Sequence, residues 1–339
     1  MMTEPHSPQS GFWEDRMVLV TGAGGFIGSH LVEQLVSLGA KVRAFVKYNS
    51  RGDVGLLQLL PEKIKSQVEV YSGDLRDSAA VESAMQNCAT IYHLGALIAI
   101  PYSYKHPVEV VETNVMGTLN LLMAARKSKP DRIVHTSTSE VYGTARIVPI
   151  NEGHPLQAQS PYAASKIGAD KLVESFFLSY GLPVVTLRPF NTFGPRQSSR
   201  AVIPTIISQA LTQDVIRLGN LKSQRDLTYV SDTVAGFIRI AEVPAVEGQT
   251  FNLGTGREIS IGDVTQMIIK LVGKPAAVEV DLARLRPDKS EVERLISDNN
   301  FAQAALGWRP MVSLEEGLEK TIRWVADNLQ GYHPETYQI

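Results

Sequence analysis

The chain has 339 residues, 44% of them hydrophobic and 20% charged, which suits one large α/β domain or a nucleotide-binding domain with a smaller companion. Its 33 basic and 35 acidic residues leave a net charge of -2, so the charge balance makes no case for nucleic acid or an anionic membrane. The single cysteine, Cys88, excludes an internal disulfide and a cysteine-rich metal cage. The N-terminus lacks a signal-peptide core and no run reaches the ~18 apolar residues of a membrane span, so a cytoplasmic location is expected.

Residues 1–14 read as a loose leader with Pro5 and Pro8. Met17 to Val20 is a short apolar strand that runs into TGAGGFIGSH, and LVEQLVSLG continues as an amphipathic helix. Strand, glycine turn and helix form the first unit of a dinucleotide fold, where glycines admit the pyrophosphate and the helix N-terminus offers amide donors. Gly22, Gly25 and Gly28, with Phe26 and Ile27 between them, are the expected contacts. The second strand, Lys41 to Val46, is followed by KYNSRG without the Asp or Glu that an NAD-binding fold usually carries ~20 residues beyond the first glycine. Lys47 and Arg51 suit a 2′-phosphate, or else form a solvated basic turn; the run leans weakly toward NADP, with NAD open. After a third strand, Val68 to Tyr71, Asp74 is expected to accept from the adenine amino group while Leu75 covers the ring. Gly95 and Ala96, after the strand ATIYHLGA, leave room for cofactor backbone. Residues 107–129 read as one long helix on the spacing of Val110, Val111, Val115, Leu119 and Leu122. Asn114 within it reads equally as a backbone anchor or a cofactor-side group.

The stretch from Ile133 to Lys166 carries the chemistry. A buried strand ends in Thr138, Ser139 and Glu140, at the carboxyl edge where open α/β sheets bind ligands. Ser160 and Pro161 then cap a helix with Tyr162 and Lys166 on one face. An ammonium beside a phenol favours the phenolate, so Lys166 is expected to bring Tyr162 toward use as a base near neutral pH. A sixth parallel strand, Leu182 to Leu187, ends in RPFNTFGPR. Beyond it come a helix around Pro204 to Thr212, short strands near Val215 and Thr228, and helices near Ser231, Ser260, Asn299 and Leu314. The expectation is a Rossmann-type doubly wound parallel α/β sheet with a smaller C-terminal lobe. The leader covers 1–14 and the NAD(P)-binding domain 15–190; a mainly substrate-binding lobe with segments returning to that domain covers 191–330, and a tail 331–339.

TGAGGFIG, STSEVYG, PYAASK, RPFNTFGP, RDLTYVSD and ALGWRP, in that order over nearly the whole length, resemble the extended short-chain dehydrogenase/reductases of the nucleotide-sugar epimerase and dehydratase group. SSRAVIPTIISQAL and RPDKSEVERLISDN are most similar to dehydratases of the legionaminic acid type, which convert a nucleotide-linked N-acetylglucosamine (GDP or UDP) to its 4-keto-6-deoxy product. The resemblance implies an NAD(P)+ that is regenerated in each turnover. Tyr162 removes the proton of the 4-hydroxyl, Thr138 binds that hydroxyl, Lys166 holds the ribose and Glu140 takes the proton on carbon 5. Where many sugar 4,6-dehydratases have Asp, this chain has Ser139, as the GDP-mannose dehydratase type does, so Glu140 also serves as acid through Ser139. Arg225 and Arg286 are the candidates for the diphosphate, with Asn191 beside them; Arg200 reads equally as surface. No metal is implied.

The rival readings are a UDP-glucuronate decarboxylase, disfavoured because Asp226 beside the substrate would repel a glucuronate, and a 4-epimerase, which has no use for Glu140. A non-catalytic NAD(P)-binding sensor or scaffold is opposed by the complete Thr138, Glu140, Tyr162 and Lys166 set. By fold analogy the helices at 107–129 and 161–180 are expected to build a four-helix contact in a homodimer.

Overall fold

The computed structural model describes residues 11–332. Seven parallel strands form its central sheet. They are β1 (Met17–Thr21), β2 (Lys41–Lys47), β3 (Val68–Gly73), β4 (Thr90–His93), β5 (Arg132–Thr136), β6 (Val184–Pro189) and, after four short strands of the C-terminal half, β11 (Thr250–Leu253). The order across the sheet is β11-β6-β5-β4-β1-β2-β3, so the chain reverses direction between β1 and β4. Alternate residues of these apolar runs enter opposite cores: Val18 and Val20 pack on one face with Val42, Val134 and Val185, while Leu19, Ile91, Ile133 and Val184 pack on the other. Burial on both faces is what a near-continuous Val/Ile/Leu run requires of a parallel strand.

Helix α1 (Phe26–Ser37) covers the first face, and α2 (Ser78–Met85), α3 (107–128) and α4 (Pro161–Tyr180) cover the second. α4 starts where Ser160 accepts from the amide of Ala163 at 3.1 Å and stops at Gly181, whose φ of 64° suits glycine. α3 is continuous but widens into a π-helical turn at Glu112–Met116, a local irregularity that spacing rules do not register. There Asn114 donates to Leu97 O at 2.9 Å and to Ser165 Oγ at 2.9 Å, and its Oδ1 accepts from Leu97 N. The amide is an anchor between α4 and the loop after β4, the first of its two readings.

Past residue 190 the chain builds the lobe and returns. β7 (Asn191–Phe193) pairs with β10 (Leu227–Tyr229), β8 (Val215–Leu218) with β13 (Ala277–Val280), and β9 (Gln224–Arg225) with β12 (Ile259–Ser260). Among the helices of this half, α5 (Val202–Thr212) and α6 (Val230–Glu242) precede β11. α7 (Ile261–Val272), α8 (Asn300–Leu306) and α9 (Leu314–Asp327) follow it. α6 lies against α1, and β11 adds the seventh strand beside β6, so residues 230–253 belong to the nucleotide-binding layers.

Two sequence expectations change here. Residues 1–10 of the expected leader, and 333–339 of the tail, lie outside the described residues. Trp13, placed in the leader, is 1% exposed and donates from its indole to Glu242 at 2.8 Å: a buried indole with a satisfied donor is part of the core. β11 had no forecast, because four residues with Asn252 among them carry little periodicity.

Candidate active site

A cavity of about 590 Å³ runs along the carboxyl ends of the strands. At one end lies the turn between β1 and α1. Gly25 precedes the helix without any side-chain cap, so the first amides of α1 are left for a ligand. The turn is closely packed: Gly22 has φ 68°, and a Cβ there would lie 2.8 Å from Gly95 Cα. A Cβ on Gly28 would collide with Gly22 O. Gly22, Gly25, Phe26, Ile27 and Gly28 all line the cavity, with Gly24 beside them, and this cradle fits a dinucleotide pyrophosphate. Gly28→Ala is expected to destabilise the fold by about 1–3 kcal/mol through overpacking and to abolish dinucleotide binding, measured by urea unfolding and cofactor fluorescence titration.

The adenosine end differs from the sequence reading. Lys47 lines the cavity, but its ammonium faces Glu109 of α3 at 3.7 Å. Arg51 is exposed and outside the lining, in a turn organised by Asn49, whose Oδ1 accepts from the amides of Arg51 and Asp53. Asp53, close after β2, lines the cavity beside Lys47 and Asn49, so an acid stands at the adenosine end and the lean toward a 2′-phosphate is not supported. Asp74 likewise lies outside the lining, its carboxylate bonded to Arg76 Nε at 3.0 Å and Nη2 at 2.7 Å. Leu75 is buried against Gly95 and Gly117. Gly95 is small because Gly22 and Leu75 crowd it, while Ala96 does line the cavity.

At the other end β5 gives way to an extended Thr138, whose Oγ1 accepts from Glu140 N at 3.2 Å, and a single 3₁₀ turn, Ser139–Tyr142, follows. Thr138, Ser139, Glu140, Tyr162 and Asn191 line the cavity together. The Glu140 carboxylate is 9% exposed as a residue and has no hydrogen-bond or ion-pair partner among the described residues. A structural strand-end carboxylate would have one. Tyr162 is 7% exposed. Burial pushes its phenol up; the Thr138 hydroxyl beside it works the other way, and the charges of Glu140 and Asp170 add to the rise. The lowering expected from Lys166 is not seen: its Nζ donates to Thr136 O at 2.7 Å, and burial sets the direction for the phenol. Lys166 itself, 4% exposed, is brought down to about 8 by burial, against the opposing charge of Asp170.

Behind Glu140 sits Arg225. Burial draws its guanidinium down, the Glu140 charge opposes this, and Arg286 repels it. The fork pairs with Glu291 at 3.3 Å, a residue the sequence reading passed over inside RPDKSEVERLISDN. Arg286 Nη1 and Asn191 Oδ1 are buried and unpaired among the described residues: the first is a donor suited to a phosphate oxygen, the second an acceptor suited to a sugar hydroxyl. Arg225 and Arg286 stand outside the cavity lining, as does Arg200, which is exposed. Asp226 requires a correction: its carboxylate accepts from the amides of Thr255, Gly256 and Ser297 and from Thr255 Oγ1, at 2.6–3.1 Å. It ties three segments together and does not face a substrate, so it cannot repel a glucuronate. Arg225→Ala is expected to weaken nucleotide-diphosphate binding by about 10- to 100-fold, the loss of a charged hydrogen-bonding fork, as read by calorimetric titration.

Among the described residues no cluster of His, Cys, Asp or Glu is placed to hold a metal, and no helix is long and apolar enough to cross a membrane.

A family model described as GDP-mannose 4,6 dehydratase matches residues 19–321. The chain belongs to the extended short-chain dehydrogenase/reductase family of nucleotide-sugar 4,6-dehydratases and epimerases. Within this dehydratase/epimerase family it is 32% identical over 317 residues to a dTDP-glucose 4,6-dehydratase of Actinoplanes sp., covering 92% of this chain and 98% of that one. It is 34% identical over 319 residues to a UDP-glucose 4-epimerase of Mycolicibacterium smegmatis, covering 92% and 99%. Among solved structures the epimerase Mth375 of Methanothermobacter thermautotrophicus superposes with a TM-score of 0.86 at 29% identity, over 94% of each chain. A dTDP-glucose 4,6-dehydratase of Streptomyces venezuelae, solved with NAD, does so with a TM-score of 0.81 at 29% identity, over 94% of this chain and 99% of that one. Both dehydratases and epimerases of the family share the fold and cover nearly the whole of this member.

Proposed function

We propose that this family member is a nucleotide-sugar 4,6-dehydratase using NAD and acting on a nucleoside-diphosphate-linked N-acetylglucosamine. Its resemblance to the legionaminic acid type suggests a role in nonulosonic acid synthesis. The observation that carries the reading is the unpaired carboxylate of Glu140 sharing one cavity with Tyr162.

Gly22, Gly25 and Gly28 would hold the pyrophosphate of NAD, which would supply reversible hydride transfer between carbons 4 and 6 of the sugar. Tyr162, with Thr138 on the same hydroxyl, removes the hydroxyl proton at carbon 4. A ketone there acidifies carbon 5, and Glu140 accepts that proton. Glu140 then passes it through Ser139 to the carbon-6 hydroxyl, which departs as water, and the proton that Tyr162 took from the 4-hydroxyl goes back to carbon 5 when carbon 6 is reduced, which restores the phenol for the next turnover. Lys166 holds the ribose and supplies positive charge below the phenol. Arg225 and Arg286 hold the diphosphate and Asn191 the sugar, and Asp53 in the lining beside Lys47 favours an unphosphorylated ribose.

The second reading is a 4-epimerase, supported by the 34% identity to such an enzyme; there Glu140 has no proton to take. Incubation with GDP- and UDP-N-acetylglucosamine and mass analysis of the product distinguishes loss of water from an unchanged mass with inverted carbon 4. Loss of carbon dioxide from a UDP-glucuronate would instead select the decarboxylase. Val108, Val111 and Met123 on α3 and Leu178 and Tyr180 on α4 are exposed, which supports pairing of these helices with a second copy. Sedimentation velocity is expected to give a dimer, and monomer alone would reject it.

A further inference from the structure

One helical turn beyond Lys166 on α4 lies Asp170, 5% exposed, on the same face as Tyr162 and Lys166. Its Oδ1 lies 3.1 Å from His135 Nε2, and its Oδ2 accepts from Ser137 Oγ at 2.8 Å and from Arg188 Nη2 at 2.9 Å. Ser137 immediately precedes Thr138. Arg188 also donates to Tyr142 Oη at 2.9 Å, the last residue of the turn that carries Glu140. Both ends of the segment bearing Thr138, Ser139 and Glu140 are therefore tied to one carboxylate, directly at Ser137 and through Arg188 at Tyr142.

The same carboxylate governs charge. The titratable groups facing Lys166 are Tyr162 and Asp170 from its own helix, His135 from β5 and His93 from β4, with Arg188 of β6 behind Asp170. Burial holds both imidazoles and the phenol in their neutral forms. Asp170 is the anion in this group: it is bonded to Arg188, and its charge also acts on Lys166 one helical turn away, whose Nζ is bonded to Thr136 O.

We propose that Asp170 is a positioning residue of the site: a buried carboxylate one helical turn from the Lys166 ammonium that braces the Thr138–Glu140 segment from both ends, directly at Ser137 and through Arg188 at Tyr142. This rests on the reading that Tyr162 and Lys166 run the oxidation at carbon 4, which dehydratase and epimerase have in common.

The test compares Asp170→Asn and Arg188→Gln with the parent, all loaded with NAD. One measure is the pH profile of kcat and KM with the nucleotide sugar; the other is the urea midpoint from pH 6 to 9 without sugar. The parent is expected to lose activity above pH about 8, where Lys166 gives up its proton. In Asp170→Asn that limb moves down by about one pH unit or more, with the sugar KM within about twofold. Its midpoint also rises more steeply with pH near neutrality, because the unfolded chain binds a proton that the native lysine no longer holds. Arg188→Gln takes one cation from Asp170, which keeps His135 and Ser137, so more of its charge acts on Lys166: the limb moves up and the midpoint varies less. Unmoved limbs and slopes in both variants, or shifts in the same direction, overturn the proposal. If no nucleotide sugar turns over, the functional reading fails, while the midpoint slopes still decide the coupling of Asp170 to Lys166.

Discussion

Glu140→Gln is expected to lower formation of the 4-keto-6-deoxy sugar by about 10²- to 10⁴-fold, the usual worth of a positioned general base, while a small reduction of the cofactor by the sugar persists. The amide keeps the shape of the carboxylate but cannot take the proton on carbon 5. Because Glu140 has no partner among the described residues to lose, the substitution breaks no hydrogen bond or ion pair, and stability is expected to change by less than about 1 kcal/mol. The measurement is paired: absorbance of the reduced nicotinamide, and mass analysis for loss of water. Full dehydration by the variant removes Glu140 from the reaction. A variant that inverts carbon 4 as fast as its parent selects the epimerase reading instead.

Tyr162→Phe is expected to remove the step before that one. Cofactor reduction and product formation both fall by about 10²- to 10⁴-fold, and sugar binding is retained, because the diphosphate contacts proposed for Arg225 and Arg286 are untouched. The pH dependence separates chemistry from packing. In the parent, burial and the charges of Glu140 and Asp170 hold the phenol above its ordinary range, so the oxidation accelerates as pH rises toward the loss of the Lys166 proton at about 8. The residual rate of the Phe variant is expected to lack that rise. Normal turnover by Tyr162→Phe would reject the assignment outright.

The rise at Tyr162 also shows where local reasoning stops. Spacing of four on a helix places Lys166 next to Tyr162 correctly, since that depends only on helical geometry. Whether the pair favours a phenolate depends on burial and on where the ammonium points, and both are set by β5 and β6. The same division holds at Asp226. Its position after Arg225 is plain in the sequence, but its carboxylate faces backbone amides of residues 255, 256 and 297, contacts made across up to 71 residues of chain.

What the sequence determined by itself was everything written in short-range order. The strand–glycine–helix start, the Ser160 cap, the apolar runs that demand a two-sided sheet and the grouping of Thr138, Glu140, Tyr162 and Lys166 all arise from φ preferences, capping donors and hydrophobic period. The tertiary structure alone decided the seventh strand, the docking of Trp13 on Glu242, the approach of Glu109 to Lys47 and the double tie of Asp170 to the catalytic segment. Each of these joins side chains distant in sequence, and their energies depend on burial and approach, which no local pattern encodes.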